Sequence, residues 1–198
     1  MSTDSTDRSP QWRMFCAFEL PEALRSQIHE HTRRLRDAVP EVAASWSRPE
    51  NIHLTVNFFG NVDQVKVPAI SAAATRVTDR FSPIPLRAAR TGAFPRPGWP
   101  QVLFIGIEDP SGALSKLQQE LEEEFAREGF PKEDRVFRPH LTIARVRNPH
   151  KAADLAETHF EMSFGPVELT LDELVLFRSE LSSKGSKYTA ISRHPLGG

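Results

Sequence analysis

The stretch Ile52-His53-Leu54-Thr55-Val56-Asn57-Phe58-Phe59 has an echo 87 residues further on, His140-Leu141-Thr142-Ile143, nearly half of the 198-residue chain away. With 7 His, 17 Leu and 11 Thr available, about 0.03 copies of His-Leu-Thr are expected by chance, so two copies are a signal rather than an accident. In the first copy polar His53, Thr55 and Asn57 alternate with apolar Leu54, Val56 and Phe58, the period of a half-buried strand. Side chains at i and i+2 leave the same face of a strand. His53 and Thr55 therefore point one way, and Leu54 and Val56 the other. His140 and Thr142 likewise oppose Leu141 and Ile143. Apolar faces packed on helices and His/Thr faces turned to a shared cleft imply two similar lobes.

Outward from these strands the chain alternates irregularly. Arg13–Phe18 suits a strand, and Pro21 opens a helix carrying Leu24, Ile28 and Leu35. Trp46 lies on a short extended piece ended by Pro49, and the His53 strand is expected to end at Gly60–Asn61. A helix over Asp63–Asp79 with Pro68 near its start follows, then strands at Ile84–Ala93 and Val102–Ile107 around a proline-rich loop, Phe94–Pro100. Ser111–Glu128 is the clearest helix, with Leu114, Leu117, Leu121 and Phe125 on one face and Gly129 after it. Val136–Val146 reads as the second alternating strand, Lys151–His159 as a short helix, and Val167–Thr170, Leu174–Phe177 and Tyr188–Ile191 as strands. The order β-α-β-β-α-β-β-α-β-α-β-β-β is neither a βαβ alternation nor an all-β run. It predicts an α+β fold with helices on mixed or antiparallel sheets. Met1–Gln11 reads as a disordered tail and residues 12–198 as one bilobal domain.

Composition narrows the function. Hydrophobic residues at 39% and charged residues at 26% exclude a collagen, a coiled-coil rod and a mostly disordered chain. A net charge of −1 gives no bulk attraction to nucleic acid or to a membrane surface, so phosphate recognition needs a local basic cluster. Arg135-Val136-Phe137-Arg138-Pro139-His140-Leu141-Thr142-Ile143-Ala144-Arg145-Val146-Arg147 supplies one, with four arginines and no acid. The single cysteine, Cys16, makes no internal disulfide and no zinc ribbon. No secretory leader and no window of roughly 20 apolar residues is seen, which places the chain in the cytoplasm and off the membrane.

Two imidazoles across a cleft form a general acid–base pair, one neutral to take a proton and one charged to give it. Two threonine hydroxyls can donate to non-bridging phosphate oxygens. Phosphodiester cleavage asks for this set, with no metal or other cofactor: a base on the attacking oxygen, an acid on the leaving oxygen and donors on the equatorial charge. Strict alternation puts Arg145 on the face opposite His140, so a bulge or the strand end is needed to turn it into the cleft.

Other features read as ordinary structure. His29-Glu30-His31 does not place two histidines on one helix face, and Arg33 stands where H-E-x-x-H needs its second histidine, so it is a solvated helix face. His150, His159 and His194 are expected at the surface. Ser183-Lys184-Gly185-Ser186-Lys187 lacks the spacing of a phosphate loop and reads as a turn. Trp46, Phe58, Phe94 and Tyr188 can stack a base, with core or rim packing as the default reading of each.

With these residues in view, the chain resembles the two-histidine (2H) phosphoesterase superfamily, defined by two His-x-Thr-x motifs. Within it the chain is most similar to the RNA 2′,3′-cyclic phosphodiesterase family, also called the 2′-5′ RNA ligase family. The resemblance is carried by R-M-F-C-A-F-E-L-P at Arg13–Pro21, W-S-R-P-E-N-I-H-L-T-V-N-F-F-G at Trp46–Gly60, F-R-P-H-L-T-I-A-R at Phe137–Arg145 and L-F-R-S-E-L-S-S-K-G-S-K-Y at Leu176–Tyr188. It implies a bilobal α+β fold with pseudo-two-fold symmetry and a central cleft. It implies hydrolysis of a terminal 2′,3′-cyclic phosphate to a 2′-phosphomonoester, with 2′-5′ joining of RNA ends as the reverse type of reaction. His53 carries over as general acid, His140 as general base, Thr55 and Thr142 as phosphate donors and Arg145 as a cationic phosphate ligand. The acid–base order rests on the resemblance alone. Asn57 stands where a lysine or similar residue is expected. The partners implied are RNA 3′ ends or small cyclic nucleotides, with the chain a monomer. A phosphodiesterase for another cyclic or 2′-5′-linked nucleotide, or a non-catalytic binder of RNA ends, stays open.

Overall fold

The computed structural model describes residues 10–95, 99–147, 152–182 and 185–197. The elements follow the expected order: β1 (Gln11–Glu19), α1 (Glu22–Ala38), β2 (Ala44–Trp46), β3 (His53–Asp63), α2 (Val67–Thr78), β4 (Ile84–Phe94), β5 (Val102–Glu108), α3 (Ala113–Arg127), β6 (His140–Val146), α4 (Ala153–Glu161), β7 (Val167–Leu171), β8 (Glu173–Ser182) and β9 (Gly185–Pro195). They build two sheets, one in the order β3-β1-β8-β9 and one in the order β2-β6-β5-β4-β7. Every pairing is antiparallel. Apart from the three-residue edge strand β2, the sheets match strand for strand, β3 with β6, β1 with β5, β8 with β4 and β9 with β7. The two His-Leu-Thr strands thus hold equivalent places, and β3 and β6 lie against each other between the sheets.

The helices form for reasons written in their apolar spacing. In α1, Leu24, Ile28 and Leu35 are buried, and Pro21 at the N-cap accepts the first backbone bonds from Leu24 and Arg25. In α3, Leu114, Leu117, Leu121 and Phe125 bury one stripe. Its end is a Schellman turn: Gly129, at φ +84°, donates to Ala126 O, and Phe130 N reaches back to Phe125 O. That turn folds Phe130 onto Phe59, which also packs on Phe125, at centroid separations of 5.3 and 4.8 Å. The segment from Phe130 to Arg138 becomes a wall of the groove beside β3.

Both motif strands carry a β-bulge at the residue after the threonine. In β3, Ala17 pairs with Thr55 and Cys16 with Asn57, so Val56 is the extra residue. In β6, Phe104 pairs with Thr142 and Leu103 with Ala144, so Ile143 is extra. A bulge resets the alternation by one residue, and here it does so twice, at equivalent positions.

β1 is apolar on both faces because it is a central strand. Met14, Cys16 and Phe18 join the main core, while Phe15 and Ala17 form a separate cluster with Val175 and Phe177 on the other face. Burial pushes the Cys16 thiol far above its ordinary range.

Some expectations need correction. β3 does not end at Gly60–Asn61: Phe59 is a second extra residue, Gly60 takes φ +69°, and pairing with β1 continues to Asp63. β6 begins at His140 rather than Val136, because its partner β5 pairs no further than Gly106 opposite His140. His31, His159 and His194 are buried rather than solvated. His159 faces Phe104 O at 3.0 Å and His31 at 3.1 Å, and His194 sits between Thr75 and Ser192. Gln11, read as the tail's last residue, opens β1. Residues 1–9, most of the proline-rich loop's tip, His150, Lys151, Ser183 and Lys184 lie outside the described residues. Among the described residues no helix is long and apolar enough to cross a membrane.

Candidate active site

A groove of about 760 Å³ runs between the free edge of β3, strand β6 and the wall formed by residues 130–138. Thr55 lines it from one lobe, and His140, Thr142 and Arg145 from the other. His53 shares the face of Thr55 and is more enclosed. Phe15 stacks on its ring at 4.8 Å and Tyr188 meets it edge-on at 5.2 Å.

Each histidine is held from behind by a carbonyl two residues earlier. Nδ1 of His140 stands 2.7 Å from Arg138 O. A carbonyl only accepts, so Nδ1 carries the proton and Nε2 keeps its lone pair. A ring N–H of His53 donates likewise to the backbone of Asn51. Burial pushes the His53 pKa down to about 4, against the opposing pull of that carbonyl. Burial also lowers the His140 pKa, with the Arg145 charge acting in the same sense. Both rings are therefore neutral bases in the ligand-free protein at neutral pH.

The His140 ring is positioned by aromatic edges. Phe94 and Phe104 stack on each other at 4.4 Å and meet His140 at 5.2 and 5.4 Å. Phe104 occupies the space above Gly92, where any Cβ would overlap its ring.

Arg145 reaches the groove because of the Ile143 bulge. Without it, Arg145 would leave the opposite face; with it, Arg145 joins His140 and Thr142, and lines the same space. Arg135 and Arg138 line the wall. Of the aromatic candidates, Phe58 and Phe94 line the groove and Tyr188 packs on His53. Trp46 lies under Arg36, away from it.

Sequence reading missed Phe15 and Phe104, the residues that hold the two imidazoles. The signal for Phe15 was the continuous apolar run Met14–Phe18, which marks a strand buried on both faces. Phe104 gave no comparable signal, since its role depends on pairing with Thr142.

Two His-x-Thr motifs on matched, bulged strands beside one groove define a two-histidine phosphoesterase. The chain belongs to the 2′-5′ RNA ligase superfamily, which it matches over residues 20–182. It is 34% identical over 180 residues to the RNA 2′,3′-cyclic phosphodiesterase of Methanothermobacter thermautotrophicus, covering 89% of this chain and 95% of that protein. To the enzyme of that name from Thermotoga maritima it is 32% identical, over 90% of this chain and 92% of the relative. Its fold matches the crystal structure of the Thermus thermophilus protein TT0787 with a TM-score of 0.80 at 27% identity, covering 94% and 98% of the two chains. It also matches E. coli LigT complexed with 3′-AMP with a TM-score of 0.77 at 25% identity, covering 96% of this chain and all of LigT.

Proposed function

We propose that this chain hydrolyses the terminal 2′,3′-cyclic phosphate of RNA to a 2′-phosphomonoester. The observation that carries the reading is the duplicated His-Leu-Thr on equivalent bulged strands, with Thr55, His140 and Thr142 lining one groove and His53 behind Thr55 on the same strand face. Enzymes named RNA 2′,3′-cyclic phosphodiesterase at 34% and 32% identity support the choice of substrate.

His140 Nε2 takes a proton from water, whose oxygen attacks phosphorus. The P–O3′ bond breaks, and His53 gives a proton to the departing O3′. Thr55, Thr142 and Arg145 donate to the equatorial oxygens as charge grows there. His53 must be charged for this role. A phosphate anion bound between the imidazoles favours their protonated forms and raises pKa values that burial has lowered. The scheme routes no step through a metal or other cofactor. Run with an RNA 5′-hydroxyl in place of water, the same groups form a 2′-5′ bond. The acting unit in this reading is one copy of residues 12–198, working in the cytoplasm.

The test is turnover, in EDTA, of a 2′,3′-cyclic nucleotide and of a short RNA ending in a 2′,3′-cyclic phosphate. Wild type runs beside His53→Ala and His140→Ala. The expected product is the 2′-phosphate alone, with kcat lowered at least ~10²-fold in both variants. Replacing the leaving O3′ by sulfur, which needs little help from an acid, restores His53→Ala and not His140→Ala. The converse rescue would reverse the acid–base order, and turnover that survives both substitutions would refute the pair.

A further inference from the structure

The two lobes place different residues at one equivalent position. Five residues after His140, just past the Ile143 bulge, stands Arg145. Five residues after His53, just past the Val56 bulge, stands Phe58. Both line the groove. One side thus presents a cation and the other an aromatic ring. Phe58 is 53% exposed, whereas Leu54, Val56 and Val62 of the same strand are buried. It is the cross-strand partner of Phe15, whose ring stacks on His53. Phe15 is buried, so of these two partners Phe58 alone presents its ring to the groove.

The Arg13 guanidinium lies over the Phe58 ring, 4.9 Å from its centroid. Arg13 is exposed and makes no ion pair with a carboxylate among the described residues. Its cross-strand neighbours, Asn61 and Ser179, carry no charge. An aromatic face beside an arginine with uncommitted donors is what single-stranded nucleic acid needs: a stacking plane for a base and a ligand for a phosphate. From Thr55 to Phe58 the strand advances roughly 7–10 Å, the reach of about one nucleotide.

We propose that Phe58 and Arg13 bind the nucleotide immediately 5′ of the cyclic phosphate in single-stranded RNA. Its base stacks on the Phe58–Arg13 platform, and Arg13 takes its phosphate. This rests on the reading of the groove as a cyclic phosphodiesterase site, and it makes the preferred substrate an RNA end rather than a free cyclic nucleotide. Stacking is tolerant of base identity, so the subsite measures chain length and not sequence.

The experiment compares kcat/KM for a 2′,3′-cyclic mononucleotide with that for a dinucleotide ending in the same group. It is run on wild type, Phe58→Ala, Phe58→Trp and Arg13→Gln. Wild type is expected to prefer the dinucleotide. Phe58→Ala lowers that preference about tenfold, mainly through KM, and Phe58→Trp retains it. An abasic upstream nucleotide reproduces the Phe58→Ala loss in wild type. Arg13→Gln lowers the preference and removes about one phosphate contact from the salt dependence. An unchanged preference in Phe58→Ala overturns the proposal. If wild type hydrolyses neither substrate, the cyclic phosphodiesterase reading falls on its own. Fluorescence anisotropy of a labelled single-stranded RNA then decides the subsite separately: weaker binding by Phe58→Ala upholds it, and equal binding overturns it.

Discussion

Arg145 shares a face of β6 with His140, five positions away, because Ile143 is an extra residue in the ladder with β5. An odd spacing on a regular strand would have put the two on opposite sides. The bulge delivers a guanidinium to the groove from a strand rather than from a loop, so its direction is set by backbone pairing. Arg145→Gln is expected to lower kcat/KM for a cyclic phosphate by ~10²-fold, since a charge-assisted contact to the reacting phosphate is lost. Arg145→Lys keeps the charge, loses the planar fork and recovers part of the activity. Steady-state kinetics on the three proteins checks this; equal rates for wild type and Arg145→Gln would show that the arginine does not touch the phosphate.

That bulge marks the boundary of what the sequence could say. Alternation in Ile52–Phe59 and the repeat at His140 identified the strands, the shared face of each His/Thr pair and the symmetry between lobes, because period-two patterning survives in one dimension. It set Phe58 on the apolar face with Leu54, and the Val56 bulge turns that ring out into the groove instead. Alternation also showed that Arg145 required a bulge. It could not show that a bulge existed, because the extra residue is defined by what β5 places opposite it. The buried His31, His159 and His194 were misread for a similar reason. Each is satisfied by a partner distant in sequence, so each looked unpartnered. The predicted start of β6 at Val136 failed because residues 136–138 leave the β5 ladder, and regular pairing begins only after Pro139, which has no N–H to give.

The depressed histidine pKa values predict an unusual pH profile. In the free protein His140 is a competent base above its lowered pKa, so kcat/KM falls with acid below it. His53, the acid of the proposed scheme, serves only when protonated, and its pKa near 4 makes that fraction fall as pH rises. Both limbs of the kcat/KM bell therefore lie below 6.5, the ordinary histidine value. The kcat profile, which reports the complex, shifts to higher pH because the bound phosphate favours both charged imidazoles. Measuring both profiles on one substrate checks the sign. A kcat/KM bell centred above pH 7 would show that burial does not govern these groups.

His159 predicts a stability effect away from the groove. Its Nε2–H donates to Phe104 O, 3.0 Å away, leaving Nδ1 to accept from His31 Nε2–H at 3.1 Å. A second proton on His159 would set two donors face to face. Burial holds its pKa at about 4, below that of the unfolded chain. The unfolded state then binds more protons, so stability is full above about pH 6.5 and is lost as pH falls toward 4. From the shift, His159 alone accounts for about 2 kcal/mol lost between pH 7.5 and pH 5. Urea unfolding at the two pH values should show this, with a smaller acid-dependent loss in His159→Gln. An identical loss in the variant would place the titration elsewhere.

Phe104 joins that buried pair to His140, since its carbonyl accepts the His159 Nε2–H hydrogen bond while its ring meets the edge of the His140 imidazole. The ring keeps its place because Gly92 has no side chain beneath it. Gly92→Ala should push the Phe104 ring toward His140 and tilt the imidazole from its line to the Arg138 carbonyl. Misplacing a general base by a fraction of an ångström lowers kcat without removing the phosphate ligands. The expected result is a kcat reduced by ~10–100-fold, KM changed by less than about threefold, and an unfolding midpoint only slightly lowered. Phe104→Leu, which relieves the overlap, should restore part of the rate when added to Gly92→Ala. Failure of that second substitution to help, or a rise in KM with kcat intact, would mean that Gly92 serves the backbone alone.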